Sequence, residues 1–103
     1  MDIFLVSQSF PRQELYSLTD QIRRSSRSVS ANIVEGWAKR RYENIFKRQL
    51  TDSFGSCNET QLWLNFAHDC KYLEDEEYVR FSETCDEICK MLTKLIENWK
   101  TFD

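Results

Sequence analysis

One histidine, His68, and four cysteines, Cys57, Cys70, Cys85 and Cys89, are the residues on which nucleophilic or metal chemistry would have to be built. A thiol nucleophile needs a base within hydrogen-bond reach, and His68 is the only imidazole. Its nearest thiol, Cys70, stands two residues away, which on a helix turns the two side chains about 200° apart. That spacing argues against a Cys/His pair, and no catalytic residue is assigned. Zinc would call on Cys85 and Cys89 at i and i+4, with Cys57 or His68 completing the set from a neighbouring helix. The paired Cys-x-x-Cys spacing is absent, and free cysteines commonly fill cores as small hydrophobes. Packing is the stronger reading, and neither metal nor cofactor is expected. Glu83, Asp86 and Glu87 have half of the carboxylate spacing with which facing helices hold magnesium, but the second half is missing.

The basic residues make a stronger case. Arg23, Arg24 and Arg27 fan over about 100° of one helix surface, beside or opposite its apolar stripe. Lys39, Arg40 and Arg41 extend the cluster past Gly36. Asp20 offsets only Arg24, and Arg23 and Arg27 repel each other mildly as like charges at i and i+4. An anion would compensate such a cluster. Phosphates of RNA fit, with Trp37 and Tyr42 close enough in sequence to stack on bases. Ion pairs to an acidic surface of a neighbouring subunit fit equally. The net charge of −3 conceals this segregation: residues 12–48 hold nine basic and four acidic residues, residues 52–103 five and twelve. A basic half beside an acidic half suggests a polyanion partner or self-association.

The elements that must position these residues are helices. The chain has 103 residues, enough for one domain spanning 1–103. Two glycines and one proline cannot punctuate a many-stranded sheet, whereas 14% aromatic residues fill a core. No apolar run exceeds Ile3–Val6, so no membrane span is expected. The start lacks the basic region of an export signal, and four thiols without one are expected to be reduced in a cytoplasmic protein.

From about Gln13 to Glu35, Leu15, Leu18, Ile22, Ser26, Val29 and Ile33 fall in one stripe about 80° wide. Pro11 precedes this helix, and Gly36 is placed to end it with a positive φ. A second long helix, about Tyr42 to Cys70, sets Tyr42, Ile45, Phe46, Leu50, Ser53, Cys57, Leu64 and Ala67 on one side. Leu62, Trp63 and Phe66 point away from that side, too apolar for water, and mark an oligomer interface. Gly55 costs this helix about 1 kcal/mol relative to Ala, which is expected to reflect the close approach of another backbone. A last helix, about Glu76 to Phe102, aligns Phe81, Cys85, Ile88, Leu92, Leu95 and Trp99. The stub Asp2–Gln8 could be the final turns of a first helix, ending before Pro11.

Gln21-Ile22-Arg23-Arg24, followed by Ser28-Val29-Ser30-Ala31-Asn32-Ile33-Val34-Glu35-Gly36, resembles the QIRRA…S…NIAEG signature of the bacterial four-helix bundle proteins encoded in intervening sequences of 23S ribosomal RNA genes. Phe10-Pro11 with Glu14-Leu15-Tyr16-Ser17-Leu18 is similar to that family's opening motif, and Gly55-Ser56-Cys57-Asn58-Glu59-Thr60-Gln61-Leu62 to its GSL.E..TQL stretch. The resemblance runs in order from about Phe10 to Ile96. It implies an all-α, up-and-down antiparallel four-helix bundle, assembled as a ring-like homopentamer without catalytic activity. It also implies possible partners of relatives, namely RNA and a reverse transcriptase. Arg23, Arg24, Asn32, Glu35, Gly36, Gly55 and Glu59 match signature positions, and Asn32, Glu35 and Glu59 are expected to cross-link helices or subunits. The family carries a longer amphipathic helix before the Phe-Pro pair than the nine residues here, so a shortened first helix is expected. Such a helix would leave a groove beside Ile22, Val29 and Trp99, open to a partner helix or to aggregation.

Overall fold

The helical periodicities become α1 (Ile3–Ser7), α2 (Leu18–Ala38), α3 (Glu43–Asp69) and α4 (Asp75–Asn98), with one 3-10 turn at Arg12–Glu14. This computed structural model describes residues 2–101. Turns over residues 39–42 and 70–74 reverse the chain, giving an all-α, up-and-down antiparallel four-helix bundle whose first helix is short. The central helix is α3, flanked by α2 and α4, which share no backbone contact with each other; α1 lies against α2.

Small polar residues explain the close α2–α3 packing. Ser53 Oγ donates to the Val29 carbonyl at 2.7 Å, and Ser56 Oγ to Ser28 Oγ at 2.9 Å. Thr60 Oγ1 donates to the Ser56 carbonyl at 2.8 Å and lies 2.9 Å from Ser25 Oγ. Short side chains let the two backbones approach, and each buried hydroxyl keeps a partner. The buried serine of α2 is therefore Ser25 and not the expected Ser26, which is only half-buried.

Gly36 also departs from expectation. It does not end α2 with a positive φ; the helix runs through it to Ala38. A Cβ at Gly36 would lie 2.9 Å from Gln49 Cβ and 3.2 Å from Phe46 Cδ1, so glycine is required by the crossing of α2 and α3. At the other end, α2 starts at Leu18 rather than near Gln13, because Ser17 is non-helical (φ −125°, ψ −103°). Leu15 thereby leaves the stripe and is exposed. Tyr42 and Ile45 likewise leave the apolar side of α3 for solvent.

Helix α3 ends with Lys71 at φ 64°, its following amide, Tyr72 N–H, donating to the Ala67 carbonyl at 2.8 Å. A left-handed residue after the cap closes the helix, here without the usual glycine. Glu74 and Glu77 then form a reciprocal capping box at the start of α4. Expected to reach Phe102, which lies outside the described residues, α4 stops at Asn98. The cause is Trp99: its ring docks 4.9 Å from Phe46 and 5.8 Å from Trp37, and the backbone turns extended to place it (ψ 132°).

A groove of about 350 Å³ does open between α2 and α4, over Val29, Cys57, Thr60, Cys85 and Ile88. Neither Ile22 nor Trp99 lines it, contrary to expectation. Ile22 is fully buried in the same cluster as Ile3 of α1, and Trp99 belongs to the aromatic cluster with Phe46.

Candidate nucleic-acid interface

The expected single basic patch is two clusters, Arg23, Arg24 and Arg27 in the N-terminal half of α2 and Lys39, Arg40 and Arg41 just past its C-terminal end. From Arg23 to its end at Ala38 that helix spans about 22 Å. In the first cluster, Arg23 is half-buried: its Nε–H donates to Ser7 Oγ at 2.8 Å, and its guanidinium lies 4.4 Å from the Phe4 ring centroid. Arg27 lies 5.7 Å from the same centroid. Both side chains hold α1 against α2 as they present charge. Arg24 is exposed and faces Asp20 at 3.6 Å.

The second cluster surrounds the 39–42 turn. Arg40 covers the Trp37 ring at 4.2 Å and donates from Nη1 to the Trp37 carbonyl at 3.0 Å. Trp37 is 51% exposed but engaged on one face by Arg40 and edge-on by Phe46 and Trp99, so it is only in part the free stacking platform expected from its position. Tyr42 is 60% exposed and remains one. Lys39 and Arg41 are exposed and make no ion pair among the described residues. Lys100 joins Arg40, Arg41 and Tyr42 around a cleft of about 930 Å³. Sequence reasoning missed Lys100, which lies in the acidic half. The signal was topological: in an up-and-down bundle the end of α4 returns to the α2–α3 turn.

A family profile described as 23S rRNA-intervening sequence protein matches residues 1–94. The chain belongs to this family. The fold agrees with that assignment. The crystal structure of a protein with unknown function from the S23 ribosomal protein family of Bacteroides thetaiotaomicron VPI-5482 superposes with a TM-score of 0.78 at 29% identity, covering 92% of this chain and 83% of that one. Among curated proteins, none matches.

The residues of the family signature have different surroundings. Asn32 donates to the Ser28 carbonyl and hydroxyl, within α2, and reaches α3 only through the Ser28–Ser56 bond. Glu59 accepts from Trp63 Nε1 at 3.4 Å on its own helix, and Glu35 is exposed with no hydrogen bond among the described residues. None of the three directly cross-links helices of this chain. Gly55 has nothing within 4 Å of where a Cβ would be, so no backbone of this chain approaches it. At about 100° per residue, Gly55, Glu59, Leu62 and Phe66 share one exposed strip of α3. Leu62 and Phe66 are 45% and 49% exposed, and half-buried Trp63 packs 5.8 Å from Phe66 at its edge.

Buried Cys57 and Cys85, with half-buried Cys89, form a seam between α3 and α4. Cys57 Sγ donates to the Cys85 carbonyl at 3.3 Å, and Cys89 Sγ to Asn58 Oδ1 at 3.7 Å. Hydrogen bonding to Cys85, then burial, push the Cys57 thiol well above the usual range. A side-chain hydrogen bond with Cys57 draws the Cys85 thiol down against its burial. Burial, then the bond to Cys57, push Cys89 up to about 12. His68 is not part of this seam. Its Nε2 lies 2.7 Å from Asp75 Oδ1 and its ring stacks on Tyr78 at 4.1 Å. Among the described residues no three of His, Cys, Asp and Glu converge to hold a metal. Glu83, Asp86 and Glu87 are exposed, with Asp86 paired to Lys90 at 2.9 Å.

Thiolate is the reactive form, so access and proton affinity together order the four thiols. Native protein treated with a thiol-exchange reagent near neutral pH is expected to give one fast equivalent, from exposed Cys70, and all four only on unfolding. More than one fast equivalent in the native state would show that the α3–α4 seam opens.

Proposed function

We propose that the protein is a non-enzymatic, self-associating helical scaffold that binds RNA, or a partner carrying RNA, through the cations of α2 and the 39–42 turn. The observation that carries this reading is the pairing pattern. Of Arg23, Arg24, Arg27, Lys39, Arg40 and Arg41, only Arg24 has a carboxylate partner among the described residues, and that pair is solvent-exposed. Unpaired cations along and just past one helix favour a polyanion. The family's association with ribosomal RNA intervening sequences supports RNA as that polyanion.

Self-association has its own support. The exposed strip Gly55, Glu59, Leu62 and Phe66 is apolar at one end and bare of side chain at the other, a shape into which a second backbone fits. A homopentamer is the arrangement proposed from the family resemblance. The same strip supports the second reading, a protein-binding scaffold without nucleic acid.

Charge reversal separates the two. Arg23 is left intact because its hydrogen bond to Ser7 anchors α1, whereas Arg27 makes only the longer contact with Phe4 at 5.7 Å. Exchanging Arg24, Arg27, Arg40 and Arg41 for Glu should abolish binding of an RNA oligonucleotide and remove its salt dependence, about 0.7–0.9 in log-log slope per phosphate contact. Light scattering should find the oligomer unchanged. If the variant falls into monomers, the arginines belong to a subunit interface and the protein-binding scaffold takes the place of the RNA reading.

A further inference from the structure

We propose that the cleft between the 39–42 turn and the segment Trp99–Thr101 takes an unpaired ribonucleotide of a single RNA strand, with phosphate on Arg41 and Lys100 and the base against Tyr42. This deepens the RNA reading above and rests on it.

The cleft is lined by an exposed aromatic ring, Tyr42, that no arginine covers, together with Arg41 and Lys100, which make no ion pair among the described residues. Its volume of about 930 Å³ lies within the range of small-ligand pockets, about 300–1,000 Å³. Unstacked nucleotides enter such a concavity; a double helix, whose bases are stacked and paired, offers it only a phosphate ridge. Tyr42 shows 60% of its surface and its hydroxyl makes no hydrogen bond among the described residues, so ring face and hydroxyl are both available. Arg41 and Lys100 flank it from opposite walls, one on the turn and one on the tail. Arg40 adds charge from a fixed position, held by its stack on Trp37.

The walls are fastened to each other. Thr101 Oγ1 donates to the Arg40 carbonyl at 2.7 Å, and Thr101 N–H to Glu43 Oε1 at 2.9 Å. Trp99 Nε1–H donates to Thr101 Oγ1 at 3.0 Å, while the Trp99 ring sits in the core beside Phe46. Glu43, the nearby carboxylate, is occupied by Thr101 N–H and by Lys47 at 3.7 Å. A preformed concavity loses little freedom on binding. The Arg23–Arg27 cluster differs in its aromatic ring: Phe4, though 46% exposed, lies beneath arginines, which suits phosphate contact more than base stacking.

The test is fluorescence anisotropy with a labelled oligouridylate of about ten nucleotides, within the usual single-strand site size of about 4–16. A hairpin duplex of similar length and uridine monophosphate serve as competitors. The strand should bind more tightly than either. Tyr42→Ala should weaken strand binding about tenfold, the order of one lost base stack, while Tyr42→Phe should leave it unchanged. Arg41→Ala with Lys100→Ala should flatten the log-affinity against log-salt slope by about 1.4, two phosphates at about 0.7 each. All three side chains are exposed, and circular dichroism checks that each variant keeps its helices. Strand binding that is indifferent to Tyr42→Ala and to the Arg41/Lys100 pair would overturn the cleft while leaving the RNA reading in place. Competition by uridine monophosphate or duplex as strong as by the strand would overturn the single-strand assignment. Failure of wild-type protein to bind any RNA would remove the RNA reading itself.

Discussion

Phe46→Ala should cost about 3–5 kcal/mol, the range for emptying a fully buried aromatic site. Phe46 is 1% exposed and forms, with Leu50 and Leu92, the core at one end of the bundle. Its ring meets Trp99 at 4.9 Å and Trp37 at 6.2 Å, both edge-on. Edge-on aromatic pairs add about 0.5–1.5 kcal/mol each beyond the area they bury, and this site cannot collapse easily because both indoles are tethered. Trp99 is held through Thr101 and Trp37 under Arg40. A domain of this size has a total stability of about 5–15 kcal/mol, so the variant loses a large share of it. Thermal unfolding should shift down by roughly 15–30 °C. A shift of only a few degrees would mean that neighbouring side chains refill the space. The consequence extends to the cleft, since Trp99 carries the segment that forms one wall.

Exchange of the two glycines for alanine should have opposite signs. Alanine stabilises a helix interior by about 1 kcal/mol over glycine when its methyl group has room. At Gly55 it has room, with nothing within 4 Å, and Gly55→Ala should raise the stability of the isolated chain by about that amount. At Gly36 the methyl would press on Gln49 Cβ at 2.9 Å, an atom fixed to the backbone of α3, and on Phe46 at 3.2 Å. Overpacking of that kind costs about 1–3 kcal/mol, enough to exceed the gain in propensity, so Gly36→Ala should destabilise. Chemical denaturation measures both. Stability gained at Gly36 would show that the α2–α3 crossing is looser than its Cβ distances imply. The oligomer adds a second readout at Gly55. If another subunit's backbone lies on that strip, Gly55→Ala should weaken association while stabilising the monomer, and an unchanged oligomer would place the interface elsewhere. Because Gly36 touches Phe46, the effects of Gly36→Ala and Phe46→Ala should not add.

Much of the fold was legible because apolar periodicity is a property of each helix alone. Leu18, Ile22 and Val29 on α2, Phe46, Leu50, Cys57 and Leu64 on α3, and Phe81, Cys85 and Leu92 on α4 are buried as their spacing predicts. The family signature agreed with the matched profile over residues 1–94. Helix ends were less legible. Lys71 closes α3 in a conformation usually marked by glycine, whereas Gly36, which looked like such a stop, lies inside α2. A glycine's type announces that something unusual occurs, but whether the cause is backbone conformation or a neighbour's approach is a matter of packing.

The candidate site was legible in its charges and not in its shape. Sequence alone determined the segregation of basic and acidic halves, the three long helices with their buried faces, and the identity of the cations on and after α2. Tertiary structure decided which of those cations lie together. It set Arg23, Arg24 and Arg27 several helical turns away from Arg40 and Arg41, laid Arg40 over one face of Trp37, left Tyr42 open, and brought Lys100 to the turn at Arg41. The physical reason is range. Helical periodicity is written in neighbours three and four residues apart, whereas a cleft is made where antiparallel helices end together, and residues far apart in the chain meet there only after α4 has returned along α3.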